Sequence, residues 1–345
     1  MIPETKTDAV ARALRETFGV AKYDDVRMMT AGLSNALVFR ISVAGCPYLL
    51  RVIVKTDAAV GPGSGDQTHH FSCMRMGAEA GIGPKVWYTS VEDGISITDF
   101  VEARPFPRAT ALALMPGTLR VLHALPPYPT ARVVPYIDGM GKLVQRFQAA
   151  GIVPESEAAE LFELFGRAME CYPRDDSERV SCHNDLRPEN ILFDGHRVWL
   201  VDWEAAFIND RYVDLVVVAN FLVASDAEEE AFLHVYFGEA PGEYRRARFY
   251  LMCQLLHLFY AAFLMVLAAK GRSIDSIANA PEFREFHARL RAGELDLGEE
   301  AVKVECAKVH IKQALLEMRA PRFEDALRVV AAQRNLQALA GLALL

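Results

Sequence analysis

The sequence lacks most of the features that would place it in a specialised class. No Lys/Arg block is dense enough to track a phosphate backbone, and the formal net charge is −8, so nucleic acid is not an expected partner. The six cysteines (Cys46, Cys73, Cys171, Cys182, Cys253 and Cys306) form no Cys-x-x-Cys pair and show no Cys/His spacing suited to zinc. They read as reduced, mostly buried thiols. The opening Met1-Ile2-Pro3-Glu4 lacks the charged-then-apolar pattern of a secretory signal. The longest unbroken apolar run, residues 258–269, falls short of the roughly 20 residues that span a bilayer. No membrane partner is expected, and the expected location is cytoplasmic. There is no internal repeat and no long stretch biased toward disorder.

What remains is an ordinary globular composition, 52% hydrophobic and 24% charged over 345 residues. That length exceeds one small core, so two lobes or two compact domains that can enclose a cleft are the natural expectation. The densest basic cluster, Arg245, Arg246 and Arg248, lies in a stretch of helical periodicity and reads as a solvated face. A cationic or neutral small molecule suits the acidic balance better than an anionic polymer.

The pattern along the chain predicts an α+β fold. After a helical lead-in at 8–18, residues 37–43 and 48–54 alternate as two strands around a turn at Gly45 and Pro47, and 94–100 reads as another strand. A helix over 66–80, stopped at Gly81 and followed by Gly83-Pro84, interrupts them. From Ala109 onward helical spacing takes over, with helices at 110–124, 136–149, 155–171, 215–223, 228–237, 244–269 and 282–292, and two more within 299–342. One hairpin breaks this run: 191–193, a turn at Asp194-Gly195, then 198–201. The expected seam follows Phe100, giving lobes of residues 1–102 and 103–345.

Around that hairpin sits a constellation suited to phosphoryl transfer, which needs a carboxylate for the attacking hydroxyl and hard oxygen ligands for Mg²⁺. In His183-Asn184-Asp185-Leu186-Arg187-Pro188-Glu189-Asn190, Asp185 precedes Asn190 by five residues, and the hairpin returns Asp202 toward Asn190. Asp185 is the candidate base, and Asn190 with Asp202 the candidate metal pair. His183 and Pro188 read as residues that shape the loop. Asp and Asn in loops also cap turns without doing chemistry.

The segment from Cys182 to Phe221 resembles the aminoglycoside phosphotransferase and choline kinase family, through this loop together with Val201-Asp202-Trp203-Glu204 and Asn209-Asp210-Arg211-Tyr212-Val213-Asp214. The resemblance implies a protein-kinase-like two-lobed fold, with a small antiparallel-sheet N-lobe and a mainly helical C-lobe, and it implies use of ATP and Mg²⁺. By the same likeness Gly32, Ser34 and Asn35 lie in a phosphate-covering loop, Arg51 is the strand cation that clamps phosphate, and Phe100 and Glu102 lie at the adenine-facing hinge. The family's helix glutamate, which would pair the strand cation, has no counterpart: the expected region reads Gln67-Thr68-His69-His70-Phe71, and Asp66 or a histidine stands nearest to replace it.

Candidate acceptor-binding residues are Glu204 and, with Phe259, the aromatics Tyr260 and Phe263 of the long late helix, although an aromatic stripe also serves as plain core. The tryptophan of choline-kinase-like members is missing there. The expected activity is phosphorylation of a hydroxyl on an amino alcohol, an aminoglycoside or a similar metabolite. The alternative is a catalytically idle nucleotide-binding module of the same fold.

Overall fold

The computed structural model describes residues 2–29, 36–53, 67–129, 136–174, 178–268, 274 and 276–342. In chain order the elements are α1 (Thr7–Phe18), β1 (Asp25–Met28), β2 (Ala36–Val43), β3 (Cys46–Ile53), α2 (Gln67–Glu79), β4 (Val86–Ser90), β5 (Ile95–Asp99), α3 (Arg108–His123), α4 (Tyr136–Ala149) and α5 (Glu155–Cys171). They continue with β6 (Arg179–Cys182), β7 (Ile191–Phe193), β8 (Val198–Leu200), β9 (Phe207–Asp210), α6 (Arg211–Leu222), α7 (Asp226–Phe237), α8 (Glu243–Ala268), α9 (Phe283–Arg291), α10 (Glu300–Met318) and α11 (Pro321–Leu342). The chain divides into two compact units, Met1–Arg132 with Val180–Ile208, and Val133–Arg179 with Asn209–Leu345.

The first unit is built on a five-stranded antiparallel sheet of order β1-β2-β3-β5-β4. Alternation sets its two faces. Phe39, Ile41, Leu50, Val52, Ile95 and Ile97 are fully buried, and they pack with Val10, Ala13 and Leu14 of α1. Because successive strand residues point to opposite sides, Arg51, between Leu50 and Val52, is turned to the other face. The β2–β3 register pairs Val43 with Cys46, leaving Ala44 and Gly45 as a two-residue turn, both at positive φ (51° and 78°). That is the backbone a tight hairpin requires, and glycine adopts it without a Cβ clash.

The β7–β8 hairpin is held at its tip by Asp194. Its Oδ1 accepts from the backbone N–H groups of His196 and Arg197, both at 2.8 Å, and its Oδ2 accepts from Trp199 Nε1 at 2.8 Å. The backbone N–H of Arg197, with the Trp199 and His196 donors, holds the carboxyl down to about 2. This hairpin joins two loops. One runs from His183 to Asn190, and the other begins at Asp202.

The second unit is helical and centred on α8, which packs against α4, α5, α6, α10 and α11. By length and composition α8 is apolar enough to cross a membrane, at mean hydropathy 2.0, yet 61% of that window is buried inside the protein. The expected solvated arginine face is corrected for Arg248, while Arg245 and Arg246 stay partly exposed. Arg248 is only 1% exposed, and its Nη2 donates to Asp210 Oδ2 at 2.7 Å beneath the rings of Tyr172, Tyr212 and Tyr244. Asp210 also caps α6, accepting from the Tyr212 N–H at 2.9 Å, and takes the Tyr172 hydroxyl at 3.0 Å. An arginine on an otherwise apolar helix thus anchors the acidic turn that opens α6.

Candidate active site

Strand β6 leads into the loop that carries Asp185. The loop is fixed from both sides. His183 is fully buried, its Nε2 donates to the Val201 carbonyl at 3.0 Å, and its ring lies 4.8 Å from that of Trp203. Asn184 takes a left-handed conformation (φ 64°), which asparagine tolerates, and its amide donates to the carbonyls of Ala205 at 3.0 Å and Phe207 at 3.3 Å. These bonds tie the loop before β7 to the segment after β8.

Asp185 sits between two donors. Arg187 reaches it with Nε at 2.8 Å and Nη2 at 3.2 Å, and Asn190 Nδ2 donates at 2.8 Å both to its Oδ2 and to its backbone carbonyl. The carboxylate remains 26% exposed. Two carboxylate oxygens offer about four acceptor sites, and these side chains use three, so Oδ1 keeps capacity for an incoming hydroxyl. Pro188 starts the 3₁₀ turn Pro188–Asn190, and its fixed φ suits that first position. With its amide nitrogen engaged by Asp185, Asn190 directs its amide oxygen elsewhere. Its own carbonyl accepts from the Val201 N–H at 3.0 Å, which brings the neighbour of Asp202 alongside.

Asp202 is the second left-handed residue of the site (φ 64°). Its Oδ1 accepts from Arg51 Nη1 at 2.9 Å, while Arg51 Nη2 bonds Glu204 Oε1. Burial pushes the Asp202 carboxyl up, but the Arg51 charge and hydrogen bond outweigh it and leave the pKa below the usual carboxylate value. The carboxylate partners missing from the α2 sequence are therefore supplied from residues 202 and 204. α2 contributes His70 instead, buried beside this pair; burial, then the Arg51 charge, lowers it to about 3, so it stays neutral. The neighbouring His69 is turned to another contact, its Nε2 donating to the Ala206 carbonyl at 2.6 Å.

The approach of α2 depends on one residue. A Cβ on Gly77 would lie 2.3 Å from the Trp203 ring, so only glycine admits this packing. The following turn is pinned as well, with Leu200 N donating to Ile82 O at 2.7 Å and Arg197 Nη2 to Gly81 O at 2.8 Å. Sequence reasoning missed Gly77, although a glycine inside a helical pattern is a signal of close packing.

The remaining expected residues fall as follows. Phe100 and Glu102 lie at the exit of β5, where Arg40 covers the Phe100 ring at 5.1 Å and reaches Glu102 at 3.4 Å. Gly32, Ser34, Asn35 and Asp66 lie outside the described residues. Glu204, 34% exposed, is engaged by Arg51. Tyr260 and Phe263 belong to the second unit, half-buried on α8; Phe259 lies 5.6 Å from Tyr136 and from Tyr260, and 6.4 Å from Phe263 in a stacked pair.

The oxygens of Asn190 and Asp202 suit a hard cation. The Asn190 amide is oriented by Asp185, Asp202 is held ionised, and oxygen donors are what Mg²⁺ takes.

The family model described as "Phosphotransferase enzyme family" matches residues 71–250. Protein LicA of Haemophilus influenzae is 31% identical over 68 residues, which is 20% of this chain and 25% of that protein. The chain thus spans a quarter or less of the curated relatives it matches. Among solved structures, a choline/ethanolamine kinase family protein from Mesorhizobium loti aligns with a TM-score of 0.66 at 18% identity, covering 95% of this chain and 99% of that one. Choline kinase LicA from Streptococcus pneumoniae gives 0.56 at 16%, covering 88% and 98%. A spectinomycin phosphotransferase in complex with ADP and spectinomycin gives 0.53 at 12%, covering 94% and 98%. At these identities the likeness establishes a shared protein-kinase-like fold.

Proposed function

The chain belongs to the phosphotransferase enzyme family, and from that premise we propose that it is an ATP-dependent kinase acting on the hydroxyl of a small molecule. The acceptor class is an amino alcohol such as choline or ethanolamine, an aminoglycoside, or a comparable metabolite. The observation that carries this reading is the arrangement of Asp185, Asn190 and Asp202 around one hairpin, with Arg51 drawn onto Asp202.

In this reading Asp185 orients the acceptor hydroxyl on its open Oδ1 site and takes its proton, while Arg187 and Asn190 hold the carboxylate in place. Asn190 and Asp202 would hold Mg²⁺, which when bound supplies charge neutralisation at the phosphates. Arg51 exchanges its grip on Asp202 for phosphate oxygens, as a planar fork can do bidentately. Gly32, Ser34 and Asn35 cover the phosphates, and backbone groups at Phe100 to Glu102 meet adenine, which makes residues 1–102 the nucleotide-binding lobe and 103–345 the catalytic and acceptor-binding lobe. The partly exposed Glu204 attracts the acceptor if it is cationic, and Tyr260 and Phe263 are proposed as further acceptor-binding residues. The site is proposed to work in the cytoplasm, consistent with six free cysteines and a largely buried α8.

The idle-module alternative draws on the absent α2 glutamate. That motive weakens once Arg51 has two carboxylate partners, and an idle fold has no physical need for Asp185, Asn190 and Asp202 together. The test is Mg²⁺-dependent ATP consumption across a panel of hydroxylated amines, sugars and aminoglycosides. Stimulation by one class identifies the acceptor, whereas ATP binding without stimulation by any compound favours the idle module.

A further inference from the structure

Far along the sequence from the catalytic loop, the second unit gathers three imidazoles and a thiol in an apolar setting. Cys306 and His310 stand one turn apart on α10, so both side chains leave the same helix face. His287 comes from α9. The donor atoms of His287, Cys306 and His310 all lie within 4.8 Å of one another. A fourth residue, His257 on α8, shares a hydrogen bond with His310, Nδ1 to Nδ1 at 2.9 Å. The surroundings are a small core of Ala280, Phe283, Phe286 and Val309.

Packing alone accounts poorly for this composition. Cys306, His310 and His257 are 2%, 6% and 3% exposed. His287 Nε2 is buried and makes no hydrogen bond, and a buried polar atom without a partner is costly unless something else satisfies it. A phenylalanine or leucine would fill the same space without that cost. An electron-pair acceptor would satisfy thiol and imidazoles together. Burial also keeps His287 and His257 neutral, their pKa values lowered to about 4 and about 3, and the neutral imidazole is the form that ligates.

We propose that α9 and α10 bind a borderline-soft transition-metal ion of the zinc class through Cys306 Sγ and the imidazoles of His287 and His310, with His257 orienting the His310 ring. Thiolate and imidazole donors select this class over Mg²⁺ or Ca²⁺, which take oxygen. Tetrahedral zinc holds N and S donors roughly 3.3–3.7 Å apart, so the three close by about 1 Å through side-chain rotation. Binding transfers the Cys306 proton to solvent and forms the metal–thiolate bond, with no redox change. The His257–His310 hydrogen bond is the outer contact that metal-bound histidines use to fix their tautomer. A route in is available, since His257 and Phe283 also line a cavity of about 380 Å³ bounded by Glu229, Tyr250, Gln254 and Arg322. The ion pins the nine-residue α9 to α10.

The test uses the untagged full chain, stripped by chelator and titrated with Co²⁺, then with Zn²⁺ as competitor. The expected result is a near-ultraviolet thiolate-to-cobalt band with tetrahedral visible bands, saturating at about one equivalent and displaced by Zn²⁺. Cys306→Ser abolishes the charge-transfer band, and His257→Phe weakens affinity by about 10–100-fold. Should Cys306→Ser fail to fold, X-ray absorption of the zinc-loaded wild type gives the ligand set directly, with one sulfur and at least two imidazole nitrogens expected. Absence of the thiolate band in the wild type, its persistence in Cys306→Ser, or a zinc shell without sulfur overturns the proposal. The Asn190 and Asp202 oxygens cannot produce a thiolate band, so the two sites are read separately.

Discussion

Replacing Arg51 by methionine tests the electrostatic centre of the site. Arg51 is 12% exposed, and its carboxylate partners Asp202 and Glu204 are 31% and 34% exposed. At an effective dielectric constant near 20, opposite charges about 4 Å apart attract by about 4 kcal/mol per pair, before any account of desolvation. Breaking a fully buried pair from one side costs about 3–5 kcal/mol, but one-third exposure of both carboxylates lets water replace part of the loss. Arg51→Met should therefore lower the unfolding free energy by about 2 kcal/mol, read from the urea transition of the first unit. Millimolar Mg²⁺ should restore part of this, because Asp202 is then free to hold the cation together with Asn190. Glu204→Gln should cost under about 1 kcal/mol, since Asp202 still neutralises the guanidinium. In steady-state assays Arg51→Met should lower kcat/KM for ATP by about 10²–10³, the loss seen on removing one transition-state donor, and Arg51→Lys by less. An Arg51→Met protein with an unchanged urea midpoint and an unchanged KM for ATP would refute the reasoning.

Three further outcomes follow from packing and burial. Gly77→Ala should lower stability by about 1–3 kcal/mol through collision with the Trp203 ring, with part of the loss recovered in the Gly77→Ala/Trp203→Leu double variant; equal urea midpoints for Gly77→Ala and wild type would contradict it. Arg248→Met should destabilise the second unit by about 3–5 kcal/mol by stranding buried Asp210, measurable by urea titration, while Arg245→Met on the exposed side should cost under about 0.5 kcal/mol. His257 and His287 have folded pKa values depressed to about 3 and about 4 from 6.5, so their unfolded forms take up protons first. Stability should be full above pH 6.5 and fall as pH drops toward 4, by about 2 kcal/mol per histidine between pH 6.5 and 5 in chelator-treated protein. Identical urea midpoints at pH 7 and pH 5 would contradict that assignment.

Legibility in the sequence tracked locality. The helices at Tyr136–Ala149 and Glu155–Cys171 were readable to the residue, because Pro154 and the apolar spacing mark their limits. The β7–β8 hairpin was readable from Asp194-Gly195, and Asp194 does hold that turn with its carboxylate. Strand β1 was not, since Asp25–Met28 is only four mostly exposed residues, too short for its polar–apolar alternation to stand out, and it is held by pairing with β2. Strand β4 was missed although Val86–Ser90 is rich in residues that favour strands. The partners of Arg51 stand 151 and 153 residues away, and the cluster of His287, Cys306 and His310 is split between two helices. No motif spacing reports the Arg51 contacts or brings His287 to α10; the four-residue spacing of Cys306 and His310 on α10 was overlooked in the sequence. Arg248 was misread for a related reason: helical periodicity does not reveal a buried carboxylate 38 positions earlier.

The central claim is that Asp185 is the base of a phosphoryl transfer. Asp185→Asn keeps the shape of the side chain and can still meet Arg187 or Asn190, but it cannot accept a proton. Turnover with Mg²⁺, ATP and the best acceptor should fall by about 10²–10⁴, the usual contribution of a positioned general base, while ATP binding measured by calorimetry stays within about threefold of wild type. Unchanged turnover in Asp185→Asn would contradict the account.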